Sequence, residues 1–158
     1  MSIAALGPDG TDAVTEVNRF PETPCTCAAL RRSARRLTQA YDRALKPSGL
    51  RLTQYQVLAM VADTRGLTIT ELAALLAVDR TTLTRNLRPL EEAGLIAVGP
   101  GTDQRSRAVA ITTQGRRRFK QAVPLWREAE RSFRTRMGRE EAAALRRLLD
   151  DAAASAPL

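Results

Sequence analysis

Between Thr68 and Thr112 the order of caps, turns and short branched runs leaves little choice of local structure. Thr68-Ile69-Thr70-Glu71 has the form of a capping box, in which the threonine hydroxyl accepts from an early helical N–H and the glutamate reaches back. It opens Leu72-Ala73-Ala74-Leu75-Leu76, and only Ala77-Val78 then precedes a second cap, Asp79. The helix that follows carries Leu83, Leu87 and Leu90 on one face and stops at Gly94, with Pro89 removing one hydrogen bond and bending its end. Leu95-Ile96-Ala97-Val98 predicts a short strand, Gly99-Pro100-Gly101-Thr102-Asp103 a turn, and Arg107 to Thr112 the return strand. Two short capped helices joined by a tight turn make a helix-turn-helix, and the hairpin behind them makes a wing.

Helical patterns flank this lobe on both sides. Leu30, Ala34, Leu37, Tyr41 and Leu45 recur at spacings of three and four, with Arg31, Arg32, Arg35, Arg36 and Arg43 between them, until Pro47-Ser48-Gly49 ends the helix. Thr53-Gln54-Tyr55-Gln56 reads as another capping box, Thr53 capping and Gln56 reaching back, before a run from Tyr55 to Ala62 that is apolar nearly all round and should be buried. Thr112 or Thr113 caps a long helix to about Met137, bent at Pro124. Gly138 breaks it, and Glu140 to Ala153 forms a last helix with Leu145, Leu148 and Leu149 inward. Residues 1–24 form an N-terminal arm with at most a short helix around 13–17; they carry −3, and the remainder +11. The expected fold is mainly α with a small β-hairpin wing. Residues 51–112 make a winged helix-turn-helix lobe, and 25–50 with 113–158 a helical dimerisation region.

Composition narrows the chemistry. Lys+Arg number 25 against 17 Asp+Glu, a net +8 that favours a polyanionic partner. Histidine is absent, which removes Ser-His-Asp and Cys-His catalysis and every histidine metal site. Two cysteines cannot make a four-ligand zinc site, no glycine-rich phosphate loop is present, and the acidic pairs Glu91-Glu92 and Asp150-Asp151 diverge on helices. No enzyme, cofactor or metal is expected. Aromatics at 4% are too sparse for base-stacking platforms. The longest apolar stretch, Leu72 to Val78, is far short of a membrane span, and the N-terminus has no secretory pattern, so a soluble cytoplasmic protein is expected.

A helix from Asp79 to Ala93 is roughly 22 Å long and exposes Arg80, Thr81, Thr82, Thr84, Arg85 and Arg88. Arginine pairs bidentately with guanine edges, and threonine reaches a base, a thymine methyl or a phosphate. The hairpin tip projects Arg105 and Arg107, and a slim basic tip enters a minor groove where a helix cannot. A helix pair with leucines inward and arginines outward is by itself an ordinary solvated hairpin. The basic tip behind it, and eight arginines against four acids over residues 79–118, make double-stranded DNA the expected partner. One such helix reads few base pairs, so a homodimer on a palindromic operator is expected. Trp126 and Phe133, seven apart, suit either that interface or the core.

The residues also resemble a known family. Val78-Asp79-Arg80-Thr81-Thr82-Leu83-Thr84-Arg85 and Leu90-Glu91-Glu92-Ala93-Gly94-Leu95-Ile96 look like the recognition helix of the MarR family of bacterial regulators. Asp103-Gln104-Arg105-Ser106-Arg107, followed by Ile111-Thr112-Thr113-Gln114-Gly115, resembles that family's wing and the start of its fifth helix. The resemblance spans about residues 25 to 153. It implies a homodimeric winged-helix repressor or activator joined through its first and last helices. It further implies that Thr81, Thr82, Thr84 and Arg85 face the major groove while Arg105, oriented by Asp103, reaches the minor groove. Arg88 and Pro89 depart from the family's pattern.

Two signals are open. The family's commoner one is a small aromatic or anionic effector that favours one spacing of the recognition helices. The other is a thiol. Cys25-Thr26-Cys27 starts the first helix, and a bond within the pair is disfavoured if both are helical, because positions two apart point to nearly opposite sides. Buried cysteine is usually inert, but Cys27 sits near a helix N-terminus with Arg31 close by, a setting in which thiols become reactive. Its place resembles the reactive thiol of the family's organic-peroxide-sensing branch, which two tyrosines support. Tyr41 matches one of them, and Leu52 stands where the second would be. A basic helical protein-interaction module, serving an acidic protein or membrane, is the rival from another class.

Overall fold

The computed structural model describes residues 25–64, 66–101 and 106–155, and the chain divides into two compact units, 1–37 and 38–158. The elements are α1 (Thr26–Leu45), a 3-10 turn (Lys46–Ser48), α2 (Leu52–Ala62), β1 (Leu67–Thr68), α3 (Ile69–Leu75), α4 (Arg80–Glu92), β2 (Ile96–Pro100), β3 (Arg107–Ile111), α5 (Thr113–Met137) and α6 (Arg139–Ala154). The fold is mainly α with a small antiparallel sheet. The acidic arm of residues 1–24, with its short helix around 13–17, lies outside the described residues.

In the first unit, Cys25 precedes α1 and its sulfur accepts the Ala28 N–H at 3.4 Å, taking one of the donors that a helix start leaves unpaired. The two cysteines are therefore not both helical, and the geometric argument against a bond between them does not apply. Among the described residues Leu30 (38% exposed) and Ala34 of the anticipated apolar stripe are exposed, and Leu37 is half-buried.

The second unit is organised around α2, which packs against α4, α5 and β3. That explains why the run from Tyr55 is apolar nearly all round: Tyr55, Val57, Leu58, Val61 and Ala62 are all buried. The start of α2 differs from expectation. Thr53 does not cap it. The cap position is Arg51, whose N–H donates to Gln54 Oε1 at 2.9 Å, and Leu52 N–H donates to Asp42 Oδ1 on α1 at 2.7 Å. A side chain from another helix takes the Leu52 N–H, and the Tyr55 N–H donates to Arg51 O at 2.9 Å, so the helix begins before Thr53.

Around α2 lies one core, joining Leu45 and Leu50 to Leu72, Leu83, Leu87, Leu90, Leu95, Ile96, Val109 and Ala122. Each fully buried leucine contributes roughly 1.5–3 kcal/mol. The wing is three-stranded, in the order β1-β3-β2. Ile96 faces Ile111 and Val98 faces Val109 across the hairpin, which runs to Pro100, two residues past the expected strand. The short β1, not anticipated, pairs Leu67 with Val109 and Thr68 with Ala108, tying the start of the helix-turn-helix to the wing.

Thr112 locks α5 to this lobe. Its hydroxyl accepts the Gly115 N–H at 3.0 Å and donates to Gly94 O at 2.7 Å, while its own N–H donates to Leu95 O at 3.1 Å. Arg116 and Arg118, counted above with the basic surface, donate to the carbonyls of Ala62 and Ser48 and so fasten α5 to the ends of α2 and the 3-10 turn. The last helix needs a correction. Ala142 is buried and Leu145 half-buried, but Leu148 is 65% and Leu149 40% exposed, so these two do not point inward within one chain.

Candidate nucleic-acid interface

The turn between α3 and α4 is set by backbone and caps together. Leu76 closes α3, Ala77 takes a left-handed conformation (φ 51°) usually reserved for glycine, and the Val78 N–H returns to Ala73 O at 3.0 Å. Thr68 caps α3 as anticipated, with Glu71 reaching back to the Thr68 N–H at 2.8 Å. Asp79 caps α4, accepting from Thr82 N–H at 2.8 Å and from the Thr82 hydroxyl at 2.6 Å. The hydroxyl bond first, then the backbone bond, hold the Asp79 carboxyl below its ordinary range, so it stays charged against the helix N-terminus.

With Leu83, Leu87 and Leu90 buried, the orientation of α4 is fixed, and Arg80, Thr81, Thr82, Thr84, Arg85 and Arg88 are all exposed. Their chemistry is not uniform. Thr82 gives its proton to Asp79 and Thr84 gives its own to Arg80 O at 2.8 Å, so both offer outward a methyl group and acceptor lone pairs. Arg88 pairs with Glu92 at 2.7 Å on a fully solvated surface, a weak pair that opens readily for a stronger anion. Among the described residues, Arg80 and Arg85 have no ion-pair partner. The helix runs through Pro89 to Glu92 without a break.

Beside α4 stands the wing. Arg107 is exposed, but its Nη2 also donates to Val98 O at 3.2 Å, bracing the base of the hairpin. Asp103 and Arg105 lie outside the described residues, as does Thr102 of the expected turn. Thr84, Arg85, Leu87, Arg88, Val98 and Arg107 line a cleft of about 530 Å³ between helix and wing. Its apolar floor, with Ile69 beneath, was not foreseen; only the register of the sheet puts Val98 there.

Cys25 and Cys27 are free and exposed. The Tyr41 hydroxyl donates to Glu130 Oε2 at 2.6 Å, and burial, then that bond and the Glu130 charge, push its pKa above the ordinary 10.0. Arg146 holds the other Glu130 oxygen at 3.1 Å. Trp126 stacks on Tyr55 with ring centres 5.6 Å apart, and so belongs to the fringe of the core; Phe133 is half-buried. Among the described residues no helix is long and apolar enough to cross a membrane, and no three metal-ligating side chains of the His, Cys, Asp and Glu type cluster.

Comparison with known proteins gives one consistent result. A profile of the MarR family matches residues 48–106. The structure is similar to the Mycobacterium tuberculosis transcriptional regulator MOSR in complex with DNA, at 41% identity, covering 81% of this chain and 98% of that one, with a TM-score of 0.69. It shares its fold with CouR from Rhodococcus jostii RHA1 bound to p-coumaroyl-CoA, at 24% identity over 82% of this chain and 92% of that one, with a TM-score of 0.69. In sequence it is similar to an uncharacterized HTH-type transcriptional regulator, YwoH, of Bacillus subtilis (strain 168). The two are 28% identical over 92 residues, 58% of this chain and 67% of that protein.

Proposed function

The chain belongs to the MarR family and is a DNA-binding regulator; from that premise we propose a homodimeric, sequence-specific repressor that a small-molecule ligand releases from double-stranded DNA. The observation that carries the reading is the face of α4. Three buried leucines fix the helix while six polar residues point outward, two of them arginines with no ion-pair partner among the described residues.

In this reading α4 enters the major groove. Arg85 and Arg80 supply bidentate donors for guanine, and the methyls of Thr82 and Thr84 meet thymine. Arg88 exchanges Glu92 for a phosphate. The wing follows the adjacent minor groove through Arg105 and Arg107, with Asp103 orienting Arg105. The uncovered Leu148 and Leu149 suit the second copy that a palindromic operator requires. The relatives' partners, DNA for MOSR and p-coumaroyl-CoA for CouR, support a chain whose DNA affinity a small aromatic or anionic effector controls. The compartment is then the cytoplasm, where the DNA is, and no catalytic step is involved.

A second reading rests on the thiols. Cys25 and Cys27 are both exposed at the start of α1, where a peroxide can reach them. A Cys27 thiolate attacking a hydroperoxide would form the sulfenic acid and release the alcohol. Fluorescence anisotropy of duplex DNA from upstream of the chain's own gene separates these readings. Tight binding by reduced protein, lost with hydroperoxide and kept by Cys27→Ser, establishes the thiol switch; binding indifferent to oxidant leaves the ligand. Equal affinity for operator and random DNA at physiological salt would favour the basic protein-interaction module instead.

A further inference from the structure

A second basic site lies outside the DNA-facing surface, where α5 turns into α6. Residues Arg127, Arg131 and Arg134 fall at i, i+4 and i+7 on α5, and Arg139 and Arg146 at i and i+7 on α6, so each helix presents a stripe. Gly138 joins the helices, and the two stripes line one groove of about 620 Å³. A space of this size suits a small ligand.

Among the described residues the charges in this groove are not balanced. Glu130 is its one acidic lining residue among the described residues, and both of its oxygens are committed, to Tyr41 and to Arg146. Arg131 pairs with Glu128 on the open surface, where such pairs contribute little. Arg127, Arg134 and Arg139 have no ion-pair partner among the described residues. Like charges converging on one hollow oppose the packing of α5 against α6 unless an anion sits between them. Guanidinium forks match carboxylate and phosphate oxygens in geometry as well as charge. At the edge of the same groove, half-buried Trp126 is backed by Tyr55 and offers a flat apolar surface beside the arginines.

We propose that the α5–α6 groove binds a small molecule carrying two or more closely spaced negative charges next to a flat ring, the charges held by Arg127, Arg134 and Arg139 and the ring lying against Trp126. The site deepens the ligand-released reading above, and its effect on DNA rests on that reading. Arg146 lines the same groove, so an anion held by the other three arginines competes with Glu130 for it and loosens a contact joining α5 to α6. The other end of α5 is fastened by Thr112 to the residue that terminates α4.

The test uses the full chain without DNA and phenyl phosphate as the probe, followed by calorimetry and by the fluorescence of Trp126, the chain's single tryptophan. Inorganic phosphate and benzyl alcohol separate the anionic from the aromatic contribution. Binding should saturate at one probe per chain, phosphate alone should bind more weakly, and the alcohol should not bind. Arg134→Gln/Arg139→Gln should weaken phenyl phosphate by about tenfold or more. Arg136→Gln/Arg147→Gln removes the same charge from the same helices outside the groove and should leave binding within about twofold, the expectation for distant screened charges. Without probe, the groove variant should melt at or above the parent temperature and the outer pair as the parent does, and the single Arg134→Gln repeats the test with a smaller change. Equal weakening by both pairs, no saturable binding, or loss of the dimer in the groove variant would overturn the site, the last by assigning the groove to a second copy. Anisotropy with operator DNA is read separately. Probe binding without DNA release would overturn only the regulatory consequence, and absence of specific DNA binding only the regulator.

Discussion

Replacing Gly115 with alanine tests how the wing is held. Gly115 is the third residue of α5, buried where the helix begins beside the wing. Its constraint is space. A Cβ there would overlap the Leu95 carbonyl oxygen and stand 2.8 Å from the carbonyl carbon and 3.0 Å from Ile111 Cγ1. Restoring ordinary contact at 3.4 Å requires that carbonyl oxygen to retreat by about 1 Å or more. The same oxygen accepts the Thr112 N–H, so the bond that anchors α5 lengthens with it. Overpacking of this kind costs about 1–3 kcal/mol, and the better helix propensity of alanine offsets about 1 kcal/mol. The overlap with the oxygen puts the cost at the top of that range, and a net loss of about 2 kcal/mol lowers the melting temperature of a chain this size by about 4–8 °C. Thermal melting by circular dichroism measures it, and anisotropy with specific DNA should weaken in parallel as the wing shifts against α4. Gly99→Ala is the control, because an added methyl there meets nothing within 4 Å. If Gly115→Ala melted at or above the parent temperature, the close approach of α5 to Leu95 would be wrong.

Other consequences follow from single residues. Ala77→Gly should raise the melting temperature by about 1–3 °C by relieving a left-handed alanine, and Ala77→Val should lower it, since a branched residue tolerates that conformation worse. Burial raises the pKa of Tyr41 and of Tyr55, so the unfolded chain releases these protons first. Stability should therefore hold below the ordinary 10.0 and fall as the pH rises beyond it; a pH series of melts should show the decline, reduced in Tyr41→Phe. Arg85→Ala should relax base preference, whereas Arg88→Ala should weaken all duplexes alike and reduce the slope of log affinity against log salt by about one. A salt titration of both variants against two duplexes separates these effects.

Local signals made much of this architecture legible before the fold was seen. The caps Thr68, Asp79 and Thr112, the leucines of α4 and the stop at Gly94 each act within one turn of helix, and each stands where the sequence puts it. What escaped depends on distant partners. Arg51 starts α2 because Asp42 of α1 satisfies the next N–H. The two residues of β1 have no periodicity to detect and exist through pairing with β3. Ala77 gives no warning of its positive φ, which the caps on either side impose. Leu148 and Leu149 follow a helical period that marks an apolar face without saying whether this chain or another covers it. The exposed polar face of α4 was readable from spacing alone. The division of labour on it was not, because the bonds of Thr82, Thr84 and Arg88 depend on rotamers.

The most direct test of the account is selection of duplexes from a random-sequence pool by the full chain at physiological salt, with Arg85→Ala run in parallel. The account predicts a two-fold symmetric motif, with half-site centres about ten base pairs or a multiple of that apart, and a degraded base preference within each half-site for Arg85→Ala. Enrichment of no motif, or of an asymmetric motif that Arg85→Ala leaves unchanged, would contradict it.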